Sequence, residues 1–213
     1  NVYLNNIINK SVEETIIEIK KDLNEPIEKS DLKTFDLMQN TGLNINYISK
    51  LIEDYSNDKM IVIFDAAREN FRNKIYPEYK ANRGEAPDDL VPQFPLIREC
   101  VKSFNIPQLE IEGYEADALI ATYAKLAKVD DIETIIVSSD KDLMQLVNKK
   151  VTMLDPMKNK KIEINDVVEK FGVKRDNVIY IQALTGDMVD NNPRAPGIGP
   201  KTASQLINPF DNI

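Results

Sequence analysis

The chain has 213 residues, 42% of them hydrophobic and 29% charged, with a formal net charge of −8 at pH 7. These totals fit a soluble α/β protein of one domain with room for a small appended module, and they argue against a generic nucleic-acid binder unless the acids are pooled around metal ions. Histidine is absent and Cys100 is the only cysteine, which excludes Ser-His-Asp and Cys-His catalysis, His-ligated zinc hydrolysis, a disulfide framework and a thiolate zinc site.

Acid–base work near pH 7 therefore falls to carboxylates, lysines or metal-bound water. A reducing compartment suits the lone thiol. No apolar run reaches the roughly 18 residues of a membrane span. The sequence opens on Asn1 rather than Met, without a signal-peptide pattern, and reads as a processed or excerpted piece.

In chain order, Val2-Tyr3-Leu4 has the character of a short strand, and Ser11-Val12-Glu13-Glu14 has the form of a capping box. Ile16, Ile17, Ile19 and Leu23 give the helix after it an apolar face, and a polar connection with Pro26 follows. Ile45, Ile48, Leu51 and Ile52 keep helical spacing and lead into the run Met60–Phe64, which ends in Asp65. Between residues 68 and 89, Arg68, Arg72, Lys74, Lys80 and Arg83 alternate with Phe71, Tyr76 and Tyr79, and Pro77, Gly84 and Pro87 punctuate a projecting loop or broken helix. A helical pattern through Ile97, Val101 and Phe104 comes next, its regular part placed after residue 95 by Pro92 and Pro95.

Leu109-Glu110-Ile111 leads through Gly113-Tyr114 into Glu115-Ala116-Asp117, and the strand pattern Glu133–Ser139 ends in Asp140-Lys141-Asp142. Val151–Leu154 and Lys161–Ile164 read as short strands joined by a polar turn. The helical stretch Val178–Leu184 then feeds Gly186-Asp187-Met188-Val189-Asp190-Asn191, and Pro196-Gly197-Ile198-Gly199-Pro200-Lys201-Thr202 opens a last apolar helix at Ala203–Ile207.

The recurring feature is an acid at the end of an apolar run. Short β-branched runs followed by helical patterns are βα units, and the reactive edge of a parallel sheet lies at the carboxyl ends of its strands. If those strands are neighbours, Asp65, Glu115, Asp117, Asp140 and Asp142 converge on one edge. Like charges so crowded resist ionisation unless cations neutralise them, which points to Mg²⁺ or Mn²⁺ and phosphoryl chemistry. Any single acid, Asp140 above all, also serves as a helix cap, but capping takes one acid per helix and never pairs. The basic–aromatic segment reads either as a solvated loop or, beside metal ions, as a grip on phosphate through Lys80 and Arg83 with Tyr79 stacked on a base. Gly197–Thr202 fails as a Walker A loop because Pro200 separates Gly199 from Lys201. It reads as a helix–hairpin–helix whose glycines let backbone N–H groups approach phosphate, or more plainly as a Gly/Pro turn between packed helices.

From about Ile61 onward the chain resembles the 5′-nuclease family, which includes the N-terminal nuclease domain of bacterial DNA polymerase I, phage 5′-exonucleases and flap endonucleases. The resemblance is carried by Phe64-Asp65-Ala66, Phe71-Arg72, Pro77-Glu78-Tyr79-Lys80-x-Asn82-Arg83 and Gly113-Tyr114-Glu115-Ala116-Asp117. It continues in Asp140-Lys141-Asp142-Leu143-x-Gln145-Leu146, Leu184-x-Gly186-Asp187-x-x-Asp190-Asn191 and Pro196–Ala203. It implies a PIN-like 5′-nuclease fold of class α/β, a twisted, mainly parallel sheet flanked by helices over residues 1–185. Within that core it implies a helical arch or clamp over about 68–95, followed by a helix–hairpin–helix over 186–213.

It further implies structure-selective 5′-3′ exonuclease or flap endonuclease activity on DNA in repair and replication, with a pair of Mg²⁺ or Mn²⁺ ions. Asp65, Glu115, Asp117 and Asp140 match the surroundings of the first ion, and Asp142, Asp187 and Asp190 lie nearer the second. One ion lowers the pKa of a water and the other stabilises the leaving oxygen. Lys80 and Arg83 take the catalytic positions on the scissile phosphate. Arg72, Tyr79, Lys80 and Arg83 match the segment that accepts the 5′ single strand, and Gly197, Gly199, Lys201 and Thr202 match the element that holds duplex DNA with a K⁺ ion. The partners implied are DNA with a 5′ flap, nick, gap or single strand, and a DNA polymerase in the same or another chain. The protein is expected as a monomer in the cytoplasm or nucleoid, or in a DNA-containing organelle such as a plastid, apicoplast or mitochondrion.

The chain departs from the family at identifiable positions. Ala118 stands where many bacterial members carry a second Asp, though flap endonucleases commonly have Ala there. Asn5-Asn6 stands where the family's first strand ends in Asp-Gly. Either the member has a neutral first ligand and is weakened or inactive, or the residue was changed deliberately, or a few residues are missing at that junction. The sequence also stops short of the family's usual C-terminal helices. Two rivals stay open: a weakened or inactive member that binds branched DNA, motivated by Asn5, and a PIN-type ribonuclease, which shares the sheet and the acids.

Overall fold

The computed structural model describes residues 45–56, 58–88 and 90–209. The expected strand at Val2–Leu4, the helix after Ser11 and the position of Asn5 lie outside them. The described residues fall into two compact units. One holds the residues up to Phe64 together with Glu85–Leu109; the other holds Asp65–Gly84 together with the stretch from Glu110 onward.

In the first unit, helix α1 (Ile45–Asp54) sets Ile48 and Ile52 on one face, as their spacing predicts. They pack with Phe64, Ile97, Cys100, Phe104 and Ile106. Strand β1 (Val62–Ile63) pairs in parallel with β2 (Gln108–Leu109), Val62 opposite Gln108 and Ile63 opposite Leu109. Two further backbone bonds, Val62 N–H to Pro107 O (3.0 Å) and Phe64 N–H to Leu109 O (2.9 Å), extend the pairing to the residue before Asp65. Cys100 is buried, which pushes its thiol up to about 12 and leaves it unreactive.

The second unit begins with α2 (Phe71–Ile75), capped by the Asn70 side chain on Arg72 N–H at 2.8 Å. In the first unit, α3 (Gln93–Ser103) starts earlier than the proline rule suggested. Pro92 sits at the N-cap and Pro95 in the first turn, where the missing N–H has no helical acceptor anyway. After β2 the second unit continues with α4 (Ala116–Val129), β3 (Thr134–Val137), a 3-10 turn (Lys141–Leu146), β4 (Val151–Asp155) and β5 (Lys160–Ile162). It is completed by α5 (Ile164–Phe171), a 3-10 turn at Arg175–Asn177, α6 (Val178–Thr185) and α7 (Pro200–Ile207). Strand β3 lies parallel to β4, and β4 antiparallel to β5. The fold is therefore mixed α/β with parallel pairing in each unit and one antiparallel edge. Among the described residues no helix is long and apolar enough to cross a membrane.

Two expectations change here. The boundary drawn at residue 186 is not a boundary in the structure: Ala203 and Ile207 of α7 are buried in the same core as Val178 and Ile181 of α6 and Met153 of β4. The apolar face of α7 has no separate core to fill, so it closes this one. The 68–95 segment does not act as one element either. Residues 68–84 belong to the second unit, as α2 followed by tight turns through Asn82, and residues 85–95 belong to the first. Hydrogen bonds dock the 76–82 turns on the loop after α6: Lys80 N–H to Asp190 O (2.9 Å), Asn82 Nδ2 to Met188 O (2.7 Å), Asn191 Nδ2 to Glu78 O (2.8 Å) and Tyr76 OH to Asn191 O (3.3 Å).

Candidate active site

Every acid singled out by the sequence lies in the second unit. Glu115 is the N-cap residue of α4 and is buried. Acids suit the positive end of a helix dipole, yet this carboxylate is held by side chains from the 72–80 segment. Arg72 Nη1 donates to Oε2 at 2.6 Å, the Tyr79 hydroxyl to Oε2 at 3.0 Å, and the Lys80 ammonium to Oε1. Asp65, exposed at the start of the unit, accepts from Ala116 N–H at 2.7 Å and so caps α4 from outside.

Asp117, in the first turn of α4, is half-buried, and among the described residues no hydrogen-bond donor reaches its carboxylate. Burial, then the charges of Asp140 and Asp65, push it up to about 6. Asp140 follows β3 and caps the 3-10 turn, accepting from Asp142 N–H at 2.8 Å. The capping reading of Asp140 is therefore met, and its carboxylate also acts on Asp117 and Asp142. Asp142 is raised by burial and by Asp140, and accepts from Gln182 Nε2 of α6 at 2.5 Å.

The loop after α6 supplies the remaining acids. Asp187 and Asn192 bond each other's backbone at 3.1 and 2.7 Å, and Asp187 Oδ1 accepts from Val189 N–H at 2.7 Å. Burial works against the Asp187 charge, but the Lys141 ammonium at 2.6 Å and the loop N–H groups outweigh it, so this carboxylate is lowered. Asp190 meets Arg83, the Tyr79 hydroxyl at 3.4 Å and the Lys80 ammonium at 3.9 Å. Gly186 makes the loop possible: its φ is +62°, and a Cβ there would stand 2.6 Å from Asn192 O.

The acids therefore form a connected series. Glu115, Asp65 and Asp140 act on Asp117; Asp140, Asp187 and Asp190 act on Asp142; and Lys80 joins Asp190 back to Glu115. Asp155 shows the contrast. It too ends a strand, but it is spent on the following turn, accepting from Met157 N–H at 2.9 Å. Beside Asp142 and Asp187 a cleft of about 320 Å³ opens, lined also by Lys141, Gln182, Thr185 and Gly186.

Some expected roles change. Tyr79 offers no free face to a base: it is buried, its hydroxyl lies on Glu115 and Asp190, and Arg72 and Lys80 stand over its ring at 5.9 and 5.0 Å. Tyrosine suits a stacked or a buried place equally well, so its type alone did not decide. Arg72, Lys80 and Arg83, expected on phosphate, rest on carboxylates. Among the described residues no three acids are gathered closely enough to enclose one ion. Sequence reasoning also missed Gln182 and gave Lys141 no role. A lysine between two aspartates was the available sign for Lys141, whereas Gln182 carried none.

The turn at residues 196–199 stands by itself. Gly197 has a φ of +73°, nothing lies within 4 Å of a Cβ built on Gly197 or Gly199, and Gly199 is the N-cap residue of α7. The backbone there is open to close approach. Lys201 and Thr202 in the first turn are exposed, and among the described residues Lys201 makes no ion pair.

Comparison with known proteins adds to this geometry. Residues 32–172 match the family model described as 5′-3′ exonuclease, N-terminal resolvase-like domain. The chain is 50% identical over 175 residues to DNA polymerase I of Rhizobium leguminosarum, covering 79% of this chain and 17% of that protein. It is 38% identical over 169 residues to the 5′-3′ exonuclease of Aquifex aeolicus, covering 79% of this chain and 58% of that one. Among solved structures it is similar to the bacteriophage T5 flap endonuclease in a pseudo-enzyme–product complex with DNA and metal ions. The TM-score there is 0.69 and the identity 27%, over 79% of this chain and 66% of the other.

Proposed function

The chain belongs to the 5′-3′ exonuclease family, and from that premise we propose that it hydrolyses DNA phosphodiesters at 5′ ends and 5′ flaps, in replication and repair. The chain spans less than two thirds of these relatives' length, and the activity is assigned to it on its own residues. The observation that carries the reading is the connected series of carboxylates from Asp65 to Asp190 with Lys80 and Arg83 set among them.

Carboxylate oxygens are the hard donors that Mg²⁺ and Mn²⁺ prefer. The raised Asp117, with no donor on it among the described residues, marks where negative charge is least compensated. By the family resemblance, Asp65, Glu115, Asp117 and Asp140 would serve one ion and Asp142, Asp187 and Asp190 a second. As they stand, no three of the described acids enclose an ion. Divalent ions so held supply charge stabilisation at phosphate and a lower pKa for water. The protein's own part is to place the phosphate. Lys80 and Arg83, with several N–H donors between them, match its non-bridging oxygens, and Tyr79 and Arg72 fix Glu115.

Residues 68–84 act as the clamp on the 5′ strand. The open turn at Gly197–Gly199, with Lys201 and Thr202, acts as a hairpin on the duplex, K⁺ included. DNA with a 5′ flap, nick or gap is the substrate, a DNA polymerase in the same or another chain the partner, and a DNA-containing compartment the place of work. Asn5, where the family's first strand carries an Asp, lies outside the described residues, and Asn5→Asp is expected to raise the rate if that position is the first ligand. The test is cleavage of labelled 5′ flap, nicked duplex and single-stranded RNA, with and without Mg²⁺. Mg²⁺-dependent release of 5′ fragments from DNA supports the reading. Tight binding of branched DNA without cutting, or cutting of RNA alone, overturns it.

A further inference from the structure

Glu115 and Asp190 come from distant parts of the second unit's sequence, yet one ammonium meets both. The Lys80 Nζ lies on Glu115 Oε1 and 3.9 Å from Asp190 Oδ2. The Tyr79 hydroxyl repeats the bridge at 3.0 and 3.4 Å, and Arg72 and Arg83 close on the outer oxygens. Lys80 is held there by its backbone, whose N–H donates to Asp190 O at 2.9 Å with a φ of +57°. These oxygens face protein donors, and among the described residues no three acids are placed to hold one ion.

We propose that Lys80 is a resident counter-ion that a nucleic-acid phosphate draws away, so that phosphate and divalent cation bind this site cooperatively. The inference rests on the nuclease reading of the same site and adds its regulation. Two cations cannot share one enclosed carboxylate without strong repulsion, so the ammonium competes with the first ion at Glu115 and with the second at Asp190. A phosphate gives the ammonium a new anionic partner and frees the carboxylates. Linkage makes the effect reciprocal: the ion strengthens phosphate binding by the same factor. Arg72 is a positioning residue here, keeping Glu115 in place while Lys80 moves.

The experiment titrates Mn²⁺ into the protein, with free ion read by EPR, with and without saturating thymidine 5′-monophosphate, which brings a phosphate but no diester to cut. Wild type is compared with Lys80→Gln and with Lys125→Gln, an exposed lysine of α4 that removes the same charge elsewhere. The nucleotide should tighten Mn²⁺ binding to wild type by about tenfold. Lys80→Gln should bind Mn²⁺ more tightly by a similar factor without nucleotide and lose most of the nucleotide effect, and Lys125→Gln should follow wild type. Equal Mn²⁺ affinity of the two variants without nucleotide overturns the inference, as does an equal nucleotide effect in both. An absent nucleotide effect in wild type does so even if Lys80→Gln fails to fold. DNA cutting without this coupling sinks the counter-ion alone; the coupling without cutting sinks the nuclease reading alone.

Discussion

Lys80 is bound to Asp190 through both its backbone and its side chain: its N–H donates to the Asp190 carbonyl at 2.9 Å, and its ammonium lies 3.9 Å from the Asp190 carboxylate. Lys80 makes this double attachment from a left-handed backbone, φ +57°. For a residue with a Cβ that conformation costs about 1–2 kcal/mol, a strain held at the point where the charge is needed.

A pair of substitutions at this position separates backbone from charge. Lys80→Ala loses the ammonium and keeps the strain; Lys80→Gly loses the ammonium and relieves it. Single-turnover cleavage should fall by about 10²-fold or more in both, the scale of losing one charged transition-state partner. Lys80→Gly should be the more stable of the two by about 1 kcal/mol in denaturant unfolding. Equal stabilities would remove the strain argument, and retained cleavage would remove the charge argument.

Gly186→Ala should be far more damaging than a methyl group suggests. The new Cβ would meet Asn192 O, Pro193 O and Arg194 N at 2.6 to 2.8 Å, all of them backbone atoms, at a φ of +62°. The loop carrying Asp187 and Asp190 has to open. We expect a loss of more than about 2 kcal/mol of stability together with weakened Mn²⁺ binding, the range of a forced backbone clash. Normal melting and normal Mn²⁺ affinity would show that the loop adapts.

These cases show how far the sequence could be read. Asp65 and Asp140 were legible because each stands at or just past the end of an apolar strand pattern, and Glu115 and Asp187 because each lies one to three residues beyond an apolar stretch and a glycine, which are local properties. Their partners were not. Arg72 reaches Glu115 across 43 positions, Gln182 reaches Asp142 across 40, and Arg83 reaches Asp190 across 107. No periodicity links residues so far apart. Burial of Tyr79 was hidden for the same reason, since it depends on the loop after α6 closing over the 76–82 turns. The extra domain boundary at residue 186 followed from reading Pro196–Thr202 as a separate motif, when the apolar face of α7 belongs to the main core.

Asp117 gives the pH dependence. Its carboxyl is raised from the ordinary 3.8 to about 6 by burial and by Asp140 and Asp65. A folded-state value above the unfolded one means that the native state holds the proton more tightly. The aspartate therefore costs nothing below about pH 3.8, costs progressively more as pH rises through 6, and carries its full penalty above that. In metal-free buffer Asp117→Asn should stabilise the protein at pH 8 by about 1–2 kcal/mol, a figure reduced for a half-buried, screened group. The gain should vanish at pH 4. Unfolding curves at pH 4, 6 and 8 decide it, and a difference independent of pH would mean that the amide acts by packing rather than by charge.

Lys201 tests the distant turn. It is exposed in the first turn of α7, beside Gly197 and Gly199, whose backbone is open to approach. Among the described residues it makes no ion pair, so its charge is available to a partner. A lysine that neutralises one phosphate releases one condensed counter-ion. Lys201→Ala should then weaken duplex binding while lowering the magnitude of the log K against log salt slope by about 0.9. Cleavage of a bound substrate should be unchanged, because Lys201 touches none of the site acids. Filter-binding or fluorescence anisotropy between low and physiological salt measures the slope directly. A weaker affinity with an unchanged slope would place Lys201 in the packing of α7 rather than on a phosphate, and the hairpin reading of that turn would lose its charged member.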